Sequence, residues 1–393
     1  MGLGYIGLPT ASLLGTKGYQ VVGVDVSPDI VETINAGHIH IVEPGLDILL
    51  KSAVNSGNLK ASLEPEASDV FIIAVPTPFK GEHHEPDMRY VEQSVRAIVP
   101  YVEKGNLVIL ESTSPVGTCD EIIAPVLEDA GFTVGEDVFV AHCPERVLPG
   151  RILIELVEND RIVGGVDQAS TEKAASFYSG FVSGDVIQTD AKTAELSKLC
   201  ENSFRDVNIA FANELSMICD ENGIDVWELI ELANRHPRVD ILQPGPGVGG
   251  HCLAVDPWFI VDRSPETARL IRTAREVNDS KPEWVVTKIV RAAEKLKAPV
   301  IGCLGITYKP DVDDLRESPA LEIVRKLQEK GIGEILVSDA TLRSCEEFDL
   351  HSMEEVIDKA DIVVLLVNHS QYSDLTANML KEKIVIDTRG VVR

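Results

Sequence analysis

No Cys-x-x-Cys pair occurs in this chain, and its seven cysteines, Cys119, Cys143, Cys200, Cys219, Cys252, Cys303 and Cys345, are scattered. An odd, unclustered set excludes a disulfide framework and points to reduced thiols in the cytoplasm. The clustered ligands expected of a zinc-dependent alcohol dehydrogenase are also missing. The adjacent pairs His142-Cys143 and His251-Cys252 are poorly disposed to share one ion, so no metal is expected. No apolar run reaches the ~20 residues of a membrane span, and no secretory signal is visible. Positive charge is scarce: 36 Lys and Arg against 63 Asp and Glu leave a net charge of −27. That balance argues against nucleic acid and anionic membranes as partners, while leaving room for a local basic pocket around a nucleotide. The 393 residues, 44% hydrophobic and 25% charged, suit two or three globular domains.

What is present begins at once. Gly2-Leu3-Gly4-Tyr5-Ile6-Gly7 matches Gly-x-Gly-x-x-Gly. A helix-like stretch from Pro9 to Lys17 follows, then the strand Val21-Val22-Gly23-Val24, ending in Asp25. An acidic residue about twenty positions after the glycines is what a dinucleotide-binding turn requires. Asp25 can hold both ribose hydroxyls, and no Arg follows to accept a 2′-phosphate, which favours NAD. Gly2, Gly4, Tyr5, Ile6, Gly7 and Asp25 are therefore candidate cofactor contacts. The fingerprint normally follows a strand, yet here it follows Met1 directly. A first strand is expected upstream, with the natural chain starting about eight to ten residues earlier.

Further strand-then-helix units follow. Val70 to Val75 and Leu107 to Leu110 read as buried parallel strands. Both open onto short polar and proline-rich loops, where ligands of such sheets bind, making Thr77 and Thr113 further cofactor candidates. Val138 to Ala141 is another strand, leading into Cys143-Pro144-Glu145-Arg146-Val147-Leu148-Pro149-Gly150-Arg151. Residues 190 to 221 lack Gly and Pro and carry helical periodicity. Lys198, Asn202 and Arg205 stand at i, i+4 and i+7 on one face. Apolar Leu196, Leu199, Phe204, Val207 and Phe211 suggest that much of this helix is buried, and it is a natural dimer element. The last hundred residues repeat the opening architecture without its glycines: Val300 to Leu304, Ile335 to Asp339, Ala360 to Val367 and Lys383 to Gly390. This second Rossmann-like domain is expected to hold a ligand other than a second NAD. The fold class is α/β, with two doubly wound parallel-sheet domains (1–185 and 291–393) joined by a central helical region (186–290).

Residues 244–258 form a glycine-crowded loop around Cys252. A plain alcohol dehydrogenase needs no thiol. An enzyme that takes an alcohol through an aldehyde to an acid does, because a thiolate traps the aldehyde and yields a thioester for water to cleave. Gly245, Gly247, Gly249 and Gly250 would let backbone N–H groups approach a developing oxyanion.

Together these motifs resemble the nucleotide-sugar 6-dehydrogenases, the relatives of UDP-glucose dehydrogenase, over nearly the whole chain. The likeness is greatest to the branch that oxidises UDP-N-acetyl-D-mannosamine, through Gly4 to Thr10, Glu111 to Gly117, Cys143 to Arg151, Asn234 to Arg238 and Gly245 to Trp258. UDP-glucose dehydrogenases typically carry a second Glu where this chain has Pro149, which counts against glucose. The resemblance implies that Cys252 is the nucleophile and that Lys198 stabilises the C6 oxygen beside Asn202. It implies that Asp256 organises the base network and that Glu145 is the base for the hydrolytic water. Arg146, Val147, Arg205, His236, Arg238 and Gly249 would contact sugar or diphosphate, with Lys198 and Asn202 also touching the substrate. Tyr308, Lys309 and Arg389 would hold the uridine nucleotide, Arg316 would reach NAD, and the central region would form a homodimer. A positive lysine near the alcohol lowers the cost of the alkoxide independently of any resemblance.

The leading expectation is thus a four-electron, NAD-dependent oxidation of UDP-N-acetylmannosamine to its uronate, with UDP-N-acetylglucosamine as the alternative substrate. A two-electron hydroxyacid dehydrogenase would not need Cys252. A non-catalytic nucleotide-binding protein would make no NADH.

Overall fold

The computed structural model describes residues 1–81, 84–148, 150–250 and 252–392. Pro149 and His251, both singled out in the sequence, lie outside the described residues. The chain divides into two compact units, Met1–Glu201 and Asn202–Arg393. Among the described residues no helix is long and apolar enough to cross a membrane.

The first unit is built on a mixed five-stranded sheet in the order Val70–Ile73, Leu107–Leu110, Phe139–His142, Arg161–Gly165 and Val186–Asp190. All four residues of Leu107–Leu110 are buried, because helices cover both faces of the sheet. That explains an apolar run without alternation. The pairing of Phe139–His142 with Arg161–Gly165 is antiparallel, an inversion that no local pattern announces. Among the described strands Val21–Val24 pairs with Leu59–Ser62, in a separate two-stranded sheet. Between it and Val70–Ile73 lies the start of the chain. The Gly2 N–H donates to the Val24 carbonyl, and the Ala74 N–H to the Met1 carbonyl, each at 2.8 Å. The Met1 amine donates to the Ile72 carbonyl at 2.8 Å. Met1 and Gly2 thus make backbone bonds to both neighbours. Next to them, Val21, Val22, Gly23, Val70, Ile72 and Phe177 help line a cavity of about 520 Å³.

The long helix Ala191–Asn222 begins in this unit. Glu195, fully buried, accepts from the N–H groups of Gly117 at 2.5 Å and Cys119 at 2.9 Å and anchors the helix start. The helix is less covered than its apolar residues suggest. Leu199 is buried, but Leu196 is 39%, Phe204 70% and Phe211 51% exposed. The apolar residues lie around several sides of the helix, and a helix can bury only the faces that its own unit covers.

The second unit carries a four-stranded, all-parallel sheet ordered Glu334–Ser338, Val300–Leu304, Ile362–Leu365 and Ile384–Asp387. Apolar clusters pack on both faces, one including Ile301, Val324 and Val364, the other Leu304, Val363 and Leu380. Strand order reverses between the first and third strands of this sheet in sequence, so ligands are expected at the carboxyl ends near Leu304 and Leu365. Helix Arg269–Ala293, with Pro282 inside it, packs against the helix Pro319–Lys330 and a second helix, Asp256–Arg263.

Candidate active site

The fingerprint folds into a tight turn that only glycine permits. Gly2 has φ +86°, and a Cβ on Gly7 would lie 1.9 Å from the Gly2 carbonyl oxygen. Above Gly4 there is open space within 4 Å, leaving room for a pyrophosphate against the backbone. Ile6 precedes the helix Gly7–Thr16, whose N-terminus has no side-chain cap and no acidic residue in its first turn. The Leu8 N–H already donates to the Gly4 carbonyl at 3.1 Å and Pro9 has none, so it is the positive end of the helix dipole that favours an anion here. Tyr5 is 42% exposed beside them. Asp25 accepts from the Leu3 N–H through Oδ2 and from the Ser27 N–H through Oδ1, both at 3.0 Å. Each carboxylate oxygen keeps a lone pair for a ribose hydroxyl. The structure joins Thr77 and Thr113, the Thr77 hydroxyl donating to the Thr113 carbonyl at 2.7 Å. These features fit NAD.

Glu145, expected as a base carried on a loop, is buried. Its Oε2 takes a 2.6 Å bond from Arg161, itself 3% exposed, and its Oε1 accepts from the Arg146 N–H at 2.8 Å. Arg161 escaped the sequence reading; the only signal was a charge at the head of an otherwise apolar strand. The Arg146 guanidinium pairs with Glu201 at 2.7 Å, and its carbonyl accepts from Asn159 at 3.3 Å. Val147 follows, packed beside the cluster around Leu107 and Ile109. Lys198 is half-buried. Its two nearest acidic neighbours in sequence are engaged elsewhere, Glu195 with backbone and Glu201 with Arg146.

In the second unit, the residues around the thiol converge. Cys252 is exposed, and its carbonyl accepts from the Asp256 N–H at 2.8 Å. Asp256, 3% exposed, opens the helix Asp256–Arg263 and accepts from Asn202 Nδ2 at 2.5 Å. Asn202 lies one turn along the long helix from Lys198. Beneath them Arg275, 1% exposed, bonds Asp206 at 2.6 Å, Asp279, and the Leu253 carbonyl at 3.4 Å. Nothing in the sequence pattern marked Arg275. The glycine loop is held by protein contacts: a Cβ on Gly249 would sit 2.1 Å from the Glu317 carbonyl oxygen.

At the carboxyl end of the second sheet, Tyr308 carries Lys309 with its Nζ 5.6 Å from the ring centre. Arg389 donates through Nε to the Leu366 carbonyl at 3.0 Å. Burial presses its pKa down to about 10 despite Asp387 nearby, so an anionic ligand would stabilise it. Asp339 matches Asp25 in sequence pattern but is consumed by protein. It accepts from the N–H groups of Ile306 at 2.8 Å and Thr341 at 2.9 Å and contacts His369 at 3.2 Å. Asp339 is thus not left for a ribose in the manner of Asp25. Arg205 and His236 are exposed. Arg238 lines a groove with Phe204, Phe211 and Leu270. Arg316 pairs with Asp314 at 2.7 Å.

Family models match in three consecutive pieces: the NAD binding domain over residues 1–182, the central domain over 192–280 and the UDP binding domain over 302–393. The chain belongs to the UDP-glucose/GDP-mannose dehydrogenase family. As a member of that family it is an NAD-dependent dehydrogenase with a UDP-binding domain. It is 55% identical to an NDP-N-acetyl-D-galactosaminuronic acid dehydrogenase of Ralstonia nicotianae, over all of this chain and 95% of that one. It is 54% identical to a UDP-N-acetyl-D-mannosamine dehydrogenase of Campylobacter jejuni, over 96% of each. Among solved structures, a UDP-N-acetyl-mannosamine dehydrogenase from Staphylococcus aureus superposes with TM-score 0.90 at 45% identity, covering all of this chain and 94% of that one.

Proposed function

We propose that this family member oxidises UDP-N-acetyl-D-mannosamine at C6 to the uronate, using two NAD and one water per sugar. The observation that carries this reading is Cys252, exposed and set one turn before a buried Asp256 that Asn202 clasps. The likeness to UDP-N-acetylmannosamine dehydrogenases supports the sugar assignment.

Bound NAD supplies the hydride acceptor for each of two oxidations. The Lys198 ammonium stabilises negative charge on the C6 oxygen. At the aldehyde stage Cys252 Sγ adds to C6, forming a C–S bond while the carbonyl oxygen takes a proton. Loss of the second hydride to NAD, together with the proton on that oxygen, leaves a thioester. Glu145 accepts a proton from water as its oxygen attacks C6, and the C–S bond breaks with its electron pair returning to Cys252. In balance, the CH₂OH group, water and two NAD⁺ give the carboxylate, two NADH and three protons. Tyr308, Lys309 and Arg389 hold the UDP portion, with Arg146, Val147, Arg205, His236, Arg238 and Gly249 around sugar and diphosphate. Arg316 reaches NAD. The exposed Phe204, Phe211 and Leu270 form the face of a homodimer. The cysteines, none of them in a disulfide among the described residues, suit the cytoplasm.

The test is to incubate the protein with NAD and the manno, gluco and galacto epimers of UDP-2-acetamido-hexose and count NADH per sugar. Two NADH, greatest rate on the manno epimer, and no uronate from Cys252→Ala are expected. One NADH with accumulating aldehyde would sink the thiol mechanism. A faster gluco or galacto reaction would replace the sugar.

A further inference from the structure

Glu111 is a buried acid that the proposed chemistry does not use. It follows the strand Leu107–Leu110 and is 2% exposed. Its Oε1 accepts from the Tyr178 hydroxyl at 2.7 Å, while its Oε2 has no hydrogen-bond partner among the described residues. Tyr178, fully buried, places its ring 5.5 Å from Arg161 Cζ. Arg161 in turn donates to Glu145 at 2.6 Å. Two buried carboxylates are therefore linked to one guanidinium, Glu145 directly and Glu111 through the hydroxyl and ring of Tyr178. The other titratable groups acting on Glu111 are the Met1 amine and Cys143, whose thiol burial pushes up to about 12 and keeps neutral. Burial, reinforced by the Glu145 anion and opposed by Arg161, lifts Glu111 to about 7.

We propose that Glu111 is a positioning residue for hydrolysis: its ionisation puts a second anion beside the one guanidinium and so readies Glu145 to accept a proton from the attacking water. With Glu111 neutral, Glu145 is the one buried anion that Arg161 faces. With Glu111 ionised, the cation is divided between two anions, and a proton on Glu145 relieves surplus buried charge. Glu111 gives up its own proton to solvent beforehand and takes no part in the bond changes. This inference rests on Glu145 being the hydrolytic base.

An acid titrating at about 7 changes its ionised fraction roughly tenfold between pH 6 and pH 8. The experiment follows decay of the Cys252 acyl adduct in a single turnover, by rapid quench and intact mass, across that range. Wild type should speed up by roughly that factor as pH rises. Glu111→Gln, permanently neutral, should stay slow and lose the rise. Tyr178→Phe removes a hydrogen bond that favours the Glu111 anion, so its rise should move to higher pH. It carries the test if Glu111→Gln does not fold. A rise in Glu111→Gln equal to wild type, or an unshifted one in Tyr178→Phe, overturns the inference. Glu145→Gln separates the two readings. It should stall at the adduct, and wild-type decay there would discard Glu145 as base rather than the role of Glu111 alone.

Discussion

Replacing Arg275 by Met tests how the cysteine loop is held. Arg275 and Asp206 are 1% and 0% exposed and meet at 2.6 Å. Asn278 Nδ2 also donates to Asp206 Oδ1, at 2.8 Å. Methionine keeps the length of the side chain but leaves Asp206 without its cation. Burial already raises the Asp206 pKa, against the pull of Arg275, so the lone carboxylate must either protonate or remain a buried charge. Breaking one side of such a pair costs about 3–5 kcal/mol, a large share of the roughly 5–15 kcal/mol that holds a domain. At roughly 2–4 °C per kcal/mol for a unit of this size, Tm should fall by roughly 6–20 °C. Scanning calorimetry reads the shift. The double variant Asp206→Asn with Arg275→Met should recover part of it, since no charge is then stranded. Turnover should also drop, because Arg275 reaches the Leu253 carbonyl beside Cys252. A shift of less than about 2 °C, or a double variant no better than the single one, refutes the reasoning.

Lys198→Ala should lose on the order of 10²-fold or more in kcat while binding UDP as before; calorimetric titration showing a parallel loss of UDP affinity would make the lysine structural. NAD should outperform NADP in kcat/KM, because the Asp25 carboxylate repels a 2′-phosphate; equal values would place Asp25 away from the ribose. The pair Phe204→Asp and Phe211→Asp should yield monomers by light scattering if that exposed face is the dimer contact, and an unchanged mass would exclude it. His142, buried and held down to about 3 against an ordinary 6.5, binds a proton more readily when unfolded. Its contribution to stability is complete above pH 6.5 and is lost as pH falls from there toward 3. Urea titrations of His142→Leu should show a shallower acid loss, and an identical one would count against His142.

Much of the nucleotide-binding half could be read locally. Gly2, Gly4, Gly7 and Asp25 act through backbone geometry within one turn and one strand, and that geometry follows from residue type and spacing. Continuous apolar runs such as Leu107–Leu110 read as two-sided strands for the same local reason. The burial of the long helix was misjudged at Phe204 and Phe211 because periodicity tells which residues are apolar, and not which of them finds a neighbour. The antiparallel entry of Arg161–Gly165 was invisible because the direction of a strand depends on its partner.

What the chain order by itself determined was the α/β class, the dinucleotide turn, the cysteine loop and the repeat of a parallel-sheet domain at the carboxyl end. Tertiary structure alone decided which charges meet. Asn202 reaches Asp256 across 54 positions, Arg275 reaches Asp206 across 69, and Tyr178 reaches Glu111 across 67. It also consumed Asp339 with backbone donors while leaving Asp25 a lone pair on each oxygen, though the two share a sequence pattern. The physical reason is range. Backbone preference acts over a few residues, whereas a buried charge is set by whatever partner the packing brings within about 3 Å.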